Sequence, residues 1–165
     1  MSYIRYKNNN LFVESVSVRR LASKFKTPFY LYSESNIIEN YKSFLNNFKK
    51  SKPLICFSVK ANSNIQILKV LKKMGSGADV VSGGELLKAI KSGIQPNKIV
   101  FSGVGKTEEE IRLAIKKNIL LINVESENEA ILINKINYYD TFGRMTTLFY
   151  SQCVLAYDKD LLVVR

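Results

Sequence analysis

A chain of 165 residues, 46% apolar and 24% charged, is long enough to bury a sizeable core and has the make-up of an ordinary globular protein, not of a disordered or fibrous one. No apolar run approaches the roughly 20 residues of a bilayer span, and a sequence without histidine excludes Ser-His and Cys-His nucleophile pairs and most zinc sites. The net charge of +11 invites a nucleic-acid reading, but the lysines are scattered over many predicted helices without an arginine-rich stripe or interleaved aromatics, so a nucleic-acid partner is not expected.

The opening, Met1-Ser2-Tyr3-Ile4-Arg5-Tyr6-Lys7-Asn8, lacks the apolar centre of a secretory signal. Cys56 and Cys153 lie far apart in apolar stretches, as reduced thiols of a cytoplasmic protein would. Residues 1–28 form an N-terminal segment. Phe29–Tyr32 then reads as a strand, and Ile37, Ile38, Tyr41, Phe44, Leu45 and Phe48 fall on one face of a helix that Ser33 or Ser35 can cap.

Four strand–helix units follow. The strands are expected at Leu54–Val59, Ala78–Val81, Lys98–Phe101 and Ile119–Val124, each near-continuously apolar, as in a sheet covered on both faces. Ile67, Leu68 and Leu71 line one connecting helix, which ends before Gly75. Leu86, Leu87 and Ile90 line the next, entered by a tight turn at Gly83-Gly84 and closed by Gly93. Thr107 with Glu110, and Ser126 with Glu129, have capping-box spacing. Repeats of this length imply an α/β fold with a parallel sheet, either doubly wound or closed as a barrel, with function at the carboxyl ends of the strands.

Composition breaks after Ile136. Residues 1–136 hold 16 Ile, 18 Lys and 14 Asn, whereas residues 137–165 hold 0, 1 and 1. The expectation for 137–165 is an atypical tail, either translated out of frame or a variable extension, although Leu148–Leu155 has the composition of a strand.

Lys60 ends the run Leu54–Val59, and alternation puts it with Cys56 and Ser58 on one face. From the physics alone, a strand-end lysine that reaches out to solvent is the commoner case. The alternative is a lysine for Schiff-base chemistry, with the small Cys56 and Ser58 leaving room beside it. Ser102-Gly103-Val104-Gly105-Lys106-Thr107 follows a strand and opens a helix, but Val100 stands where a phosphate-binding loop has its first glycine. Gly83-Gly84 likewise lacks the dinucleotide pattern.

Ser58-Val59-Lys60-Ala61-Asn62-Ser63-Asn64 resembles the "A-V-K-A-N" segment of fold-type III pyridoxal-phosphate decarboxylases, with Ser58 in place of the usual alanine. Gly77–Leu86, Ile99–Thr107 and Ile122–Ser126 are similar, in order and spacing, to the family's next three strand segments. Asn10–Glu14 and Thr27–Tyr32 are similar to its entry. The details resemble the diaminopimelate decarboxylase branch more than ornithine or arginine decarboxylases or alanine racemase.

The resemblance implies a (β/α)8 TIM-type barrel with parallel strands, present here only in part, through about four or five βα units over residues 29–136. Residues 1–28 would supply a strand and linker to the family's second, β-rich domain. It implies pyridoxal 5′-phosphate held as a Schiff base on Lys60, Asp79 as a carboxylate near the cofactor, an amino-acid substrate, conversion of meso-diaminopimelate to L-lysine, and a homodimer in the full-length family. The family's ring-stacking histidine, phosphate-binding glycine loop, acidic partner of the ring nitrogen and active-site cysteine have no counterpart in these residues. An inactive fragment with an open sheet edge after Ile119–Val124 is therefore expected. The alternatives are a non-catalytic cofactor-binding or regulatory half-barrel and another fold-type III decarboxylase or racemase.

Overall fold

Short apolar runs become strands where they find neighbours, and the stretches between them become helices that cover one side of the sheet. The computed structural model describes residues 3–48, 53–140, 148–150 and 163–164. The chain divides into two units, Met1–Asn47 and Phe48–Arg165.

In the first unit, β1 (Ile4–Lys7), β2 (Asn10–Val13) and β3 (Val16–Ser17) form an antiparallel meander. Asn8 and Asn9, both at positive φ, make the two-residue turn between β1 and β2, a conformation asparagine tolerates better than most residues. Ser17 caps α1 (Val18–Phe25) and Ser33 caps α2 (Glu34–Asn46). Glu14 ties the meander to α2: its Oε1 accepts from Ser33 Oγ at 2.6 Å and from the Ser35 amide at 3.0 Å. A carboxylate is favoured at that end of a helix. Of the two candidate caps, Ser33 is the one used. Phe48 falls beyond the helix end.

Phe29–Tyr32 is not a strand. The apolar run is there, but it has no ladder partner among the described residues, and Tyr30 remains 89% exposed. A strand exists only through its neighbour's hydrogen bonds.

The second unit is built on four parallel strands, β4 (Leu54–Ser58), β5 (Gly77–Val80), β6 (Ile99–Phe101) and β7 (Leu121–Val124). The connecting helices are α3 (Ile65–Lys73), α4 (Gly83–Lys91) and α5 (Glu108–Lys117), and α6 (Glu127–Asp140) follows β7. Each expected strand is present, with its ends moved by one or two residues. The helix-facing side holds one buried core that includes Leu68, Val80, Leu86, Phe101, Ile111, Ile122 and Ile133. The opposite face presents Cys56 and Ser58, Gly77 and Asp79, Val100 and Ser102, and Leu121 and Asn123, as the strand period of two requires.

Gly83 and Gly84 are the first residues of α4, behind the N-cap Ser82, and not a turn before it. A Cβ on Gly83 would lie 3.1 Å from Glu110 Cγ, so the glycine lets the two helix starts approach. Gly93 closes α4 at φ +92°, as expected.

The edges of the four-strand set are paired, which corrects the open edge expected after Ile119–Val124. β8 (Leu148–Tyr150) runs parallel to β7, and β9 (Val163–Val164) runs parallel to β4. The strand expected within Leu148–Leu155 is therefore present at Leu148–Tyr150. The remainder of that segment, Cys153 included, lies outside the described residues. Helix α6 continues past the compositional break at Ile136 to Asp140. Among the described residues no helix is long and apolar enough to cross a membrane.

Candidate functional site

The carboxyl ends of β4 to β7, where a parallel sheet of this kind places its chemistry, carry Lys60, Asp79, Ser102, Lys106, Asn123 and Glu129. Strand β4 stops at Ser58, one residue short of the expected end, and Val59–Ala61 forms a single 3₁₀ turn. Lys60 therefore does not continue the alternation of Cys56 and Ser58. It projects from the turn, exposed, while its neighbour Val59 is fully buried and anchors the turn in the core. The Lys60 amine has no hydrogen-bond or ion-pair partner among the described residues.

Asp79 sits one strand over, and its register partner on β4 is Ser58. The turn that carries Lys60 packs against β5. One Asp79 oxygen, Oδ1, accepts from the Ser102 hydroxyl at 2.6 Å, and the Ser102 oxygen in turn accepts from Asn123 Nδ2 at 3.0 Å. Three adjacent strand ends are thus joined by a directional hydrogen-bond chain. Ser58 Oγ is different: it is buried and has no hydrogen-bond partner among the described residues. Behind Ser58, the Cys56 thiol is pushed up to about 12, first by burial and second by the Asp79 charge. It stays protonated and unreactive at neutral pH.

The loops above the strands are fastened by the first-turn acids of successive helices. Glu85 accepts from the Val81 amide at 3.0 Å. Glu110 accepts from the Thr107 amide at 3.0 Å, which completes the expected capping box, and also reaches the Gly83 amide of α4 at 2.7 Å. These bonds, Gly83 foremost, hold its carboxyl below the ordinary glutamate value. The Ser126 and Glu129 pair is only half a capping box. The Glu129 amide donates to Ser126 Oγ, but the Glu129 carboxylate accepts from the Glu125 amide and from Lys106.

Lys106 is the cation in this cluster. Its amine lies 2.6 Å from Gly103 O, 2.7 Å from Asn123 O and 3.1 Å from Glu129 Oε1, with its side chain 1% exposed. A lysine used up in this way is no phosphate ligand, so Ser102–Thr107 serves as a clamp between the loops after β6 and β7. Sequence reasoning singled out Lys60 and Asp79, which stand at adjacent strand ends. The likeness of Ser102–Thr107 to a phosphate loop gives no hint of the Lys106 clamp, and Ser102 and Asn123 carry no signal beyond their position at the ends of strands.

A family model described as the pyridoxal binding domain of pyridoxal-dependent decarboxylases matches residues 34–143. The chain belongs to that family. Pyridoxal phosphate is the family's cofactor. The chain is 46% identical over 134 residues to the diaminopimelate decarboxylase of Aquifex aeolicus, covering 81% of this chain and 31% of that protein. It is 52% identical over 116 residues to the enzyme of the same name from Helicobacter pylori, covering 70% of this chain and 29% of that one. Among solved structures, an Aquifex aeolicus protein superposes with a TM-score of 0.84 at 42% identity, covering 90% of this chain and 36% of that one. The diaminopimelate decarboxylase of M. jannaschii in complex with L-lysine superposes at 0.83 and 38% identity, covering 89% and 35%. The fold is therefore part of the decarboxylase barrel. The chain spans about a third of the length of the relatives it matches.

The residues at hand fit one side of the cofactor. Lys60 offers an unpartnered amine at a strand end. The neighbouring strand ends supply polar atoms, the Ser58 hydroxyl without a partner among the described residues and the Asp79 carboxylate.

Proposed function

We propose that this chain is the lysine-bearing N-terminal part of a diaminopimelate decarboxylase, in which Lys60 holds pyridoxal phosphate covalently and Asp79 stands beside it. The observation that supports the reading is Lys60 itself, an amine without a partner among the described residues, on a turn anchored by the buried Val59 just after β4, within the segment Ser58–Asn64 that resembles the family's "A-V-K-A-N" motif. When bound, the cofactor supplies an electron-poor ring that accepts the electron pair left by a departing carboxylate. The chain's own part is to present the Lys60 amine, to keep the turn rigid through Val59, and to hold the Asp79 carboxylate at a fixed strand end. The names of the relatives and the L-lysine in one of them support meso-diaminopimelate as substrate and L-lysine as product.

A polypeptide of these 165 residues is inactive alone in this reading. It holds one side of the cofactor and contains no histidine to cover the ring. The complete enzyme acts in the cytoplasm as a homodimer. The test is borohydride reduction of the protein with pyridoxal phosphate, followed by peptide mass spectrometry. Label should concentrate on Lys60 and be lost from that peptide in Lys60→Ala. Uniform labelling of the exposed lysines would overturn the assignment.

A further inference from the structure

We infer that Ser102 and Asn123 are positioning residues for Asp79, a three-member hydrogen-bond chain that aims this carboxylate at the Lys60 end of the sheet. The inference rests on the reading of Lys60 given above. Its warrant is the geometry across four neighbouring strand ends. Asn123 on β7 donates to Ser102 after β6, and Ser102 donates to Asp79 on β5 at 2.6 Å. A serine hydroxyl has one proton and two lone pairs; here the proton goes to Asp79 Oδ1 while the oxygen accepts from Asn123 Nδ2. Asp79 Oδ1 is held from the β6 side, while Oδ2 has no partner among the described residues.

On the other side of Asp79, at its register partner Ser58, lies the buried hydroxyl without a partner. The polar layer is therefore satisfied from β7 through to one oxygen of Asp79 and unsatisfied from there to β4, the strand that carries Lys60. A buried polar atom left open beside an otherwise complete network has room in its bonding for one more polar group, a water included. Burial strengthens the chain as well, since Ser102 is only 3% exposed and its bond to a carboxylate is screened little by solvent. The Asn123 backbone is fixed in turn, because its carbonyl accepts from Lys106.

The experiment compares borohydride-trapped pyridoxal phosphate at Lys60 with that at the exposed Lys69 and Lys72, by peptide mass spectrometry on the full chain. Asp79→Asn should lower the preference for Lys60 about tenfold, the size of a lost charge-assisted interaction. Ser102→Ala should lower it comparably, and Asn123→Ala less. The pair Asp79→Asn with Ser102→Ala should fall no further than Asp79→Asn alone, since Ser102 acts through Asp79. A Ser102→Ala that leaves the preference unchanged, or losses that add in the pair, would overturn the chain. If Ser102→Ala does not fold, Asn123→Ala at its half-buried site decides by the same comparison. A wild-type protein with no preference for Lys60 would overturn the cofactor reading instead. Thermal unfolding of the same variants would then judge the chain, with additive Tm losses for Asp79→Asn and Ser102→Ala counting against it.

Discussion

Lys106 and Glu129 form a buried ion pair, 3.1 Å from Nζ to Oε1, between the loop after β6 and the first turn of α6. Neither charge is left to its partner alone. Lys106 also donates to two carbonyls, and Glu129 accepts from the Glu125 amide. Removal of one partner strands the other in a low-dielectric site, at a cost of about 3–5 kcal/mol for a buried pair. Lys106→Met should lower unfolding stability by an amount in that range. The double variant Lys106→Met with Glu129→Leu should be no less stable than Lys106→Met alone, because the uncompensated charge is then gone. Denaturant titration of the three variants measures both effects, and a double variant showing the sum of two full losses would show that the pair is not coupled.

Gly77 is a second point of rigid fit. A Cβ there would collide with the Lys98 carbonyl oxygen and come within 2.8 Å of Cys56 Sγ. The carbonyl belongs to the backbone leading into β6 and cannot rotate away as a side-chain end would. Gly77→Ala should therefore destabilise the unit by about 1–3 kcal/mol, the usual range for overpacking. Gly84→Ala should not, since its Cβ would meet only Ser82 Oγ at 3.9 Å. Comparison of the two melting temperatures checks the contrast.

Much of this architecture can be read from sequence because its signals are local. Strand–helix punctuation, Gly75 and Gly93 at helix ends and the Thr107 and Glu110 pair all act within a few residues of themselves. The proposal for Lys60 has another source: the segment Ser58–Asn64, which resembles a family motif, is contiguous. The failures are non-local. Phe29–Tyr32 has the composition of a strand and lacks a ladder partner among the described residues, and pairing cannot be read from the run itself. Ser102 and Asn123 are unremarkable polar residues until register brings them beside Asp79. Lys106 looks like a phosphate-loop lysine until the acceptors Asn123 and Glu129, supplied by a different βα unit, draw it inward.

Acidification should weaken the helix junction that Glu110 makes. Its folded-state carboxyl lies below the ordinary value of 4.5, first because of the Gly83 amide and then because of Thr107. A depressed folded value means that the stabilisation is complete above the unfolded value and is lost as pH falls through the folded one. Unfolding temperature should drop as pH is lowered from about 5. Glu110→Gln should be less stable at pH 7 and show a shallower decline over the same window. Glu14, depressed by Ser33 and then by the Ser35 amide, adds a contribution of the same sign in the first unit. An unchanged slope in Glu110→Gln would mean that Glu110 is not among the groups responsible.

The 165-residue chain alone should release no carbon dioxide from meso-diaminopimelate beyond the rate of free pyridoxal phosphate. Lys60 can anchor an aldehyde, but catalysis by this cofactor depends on a ring held in one orientation with its nitrogen protonated. Asp79, Ser102 and Asn123 line one face of the sheet at the Lys60 end, and no histidine is present to cover the ring. A cofactor gripped on one side exchanges with amines in solution, so any covalent attachment at Lys60 should be trapped by borohydride yet be lost on dialysis without reduction. The measurement is carbon dioxide release with excess cofactor, in wild type and Lys60→Ala, against cofactor without protein. Turnover by the wild-type chain that disappears in Lys60→Ala would show that the lysine, the Asp79 chain and the surrounding strand ends suffice for decarboxylation, and that orientation of the ring does not require the remaining two-thirds of the relatives' length.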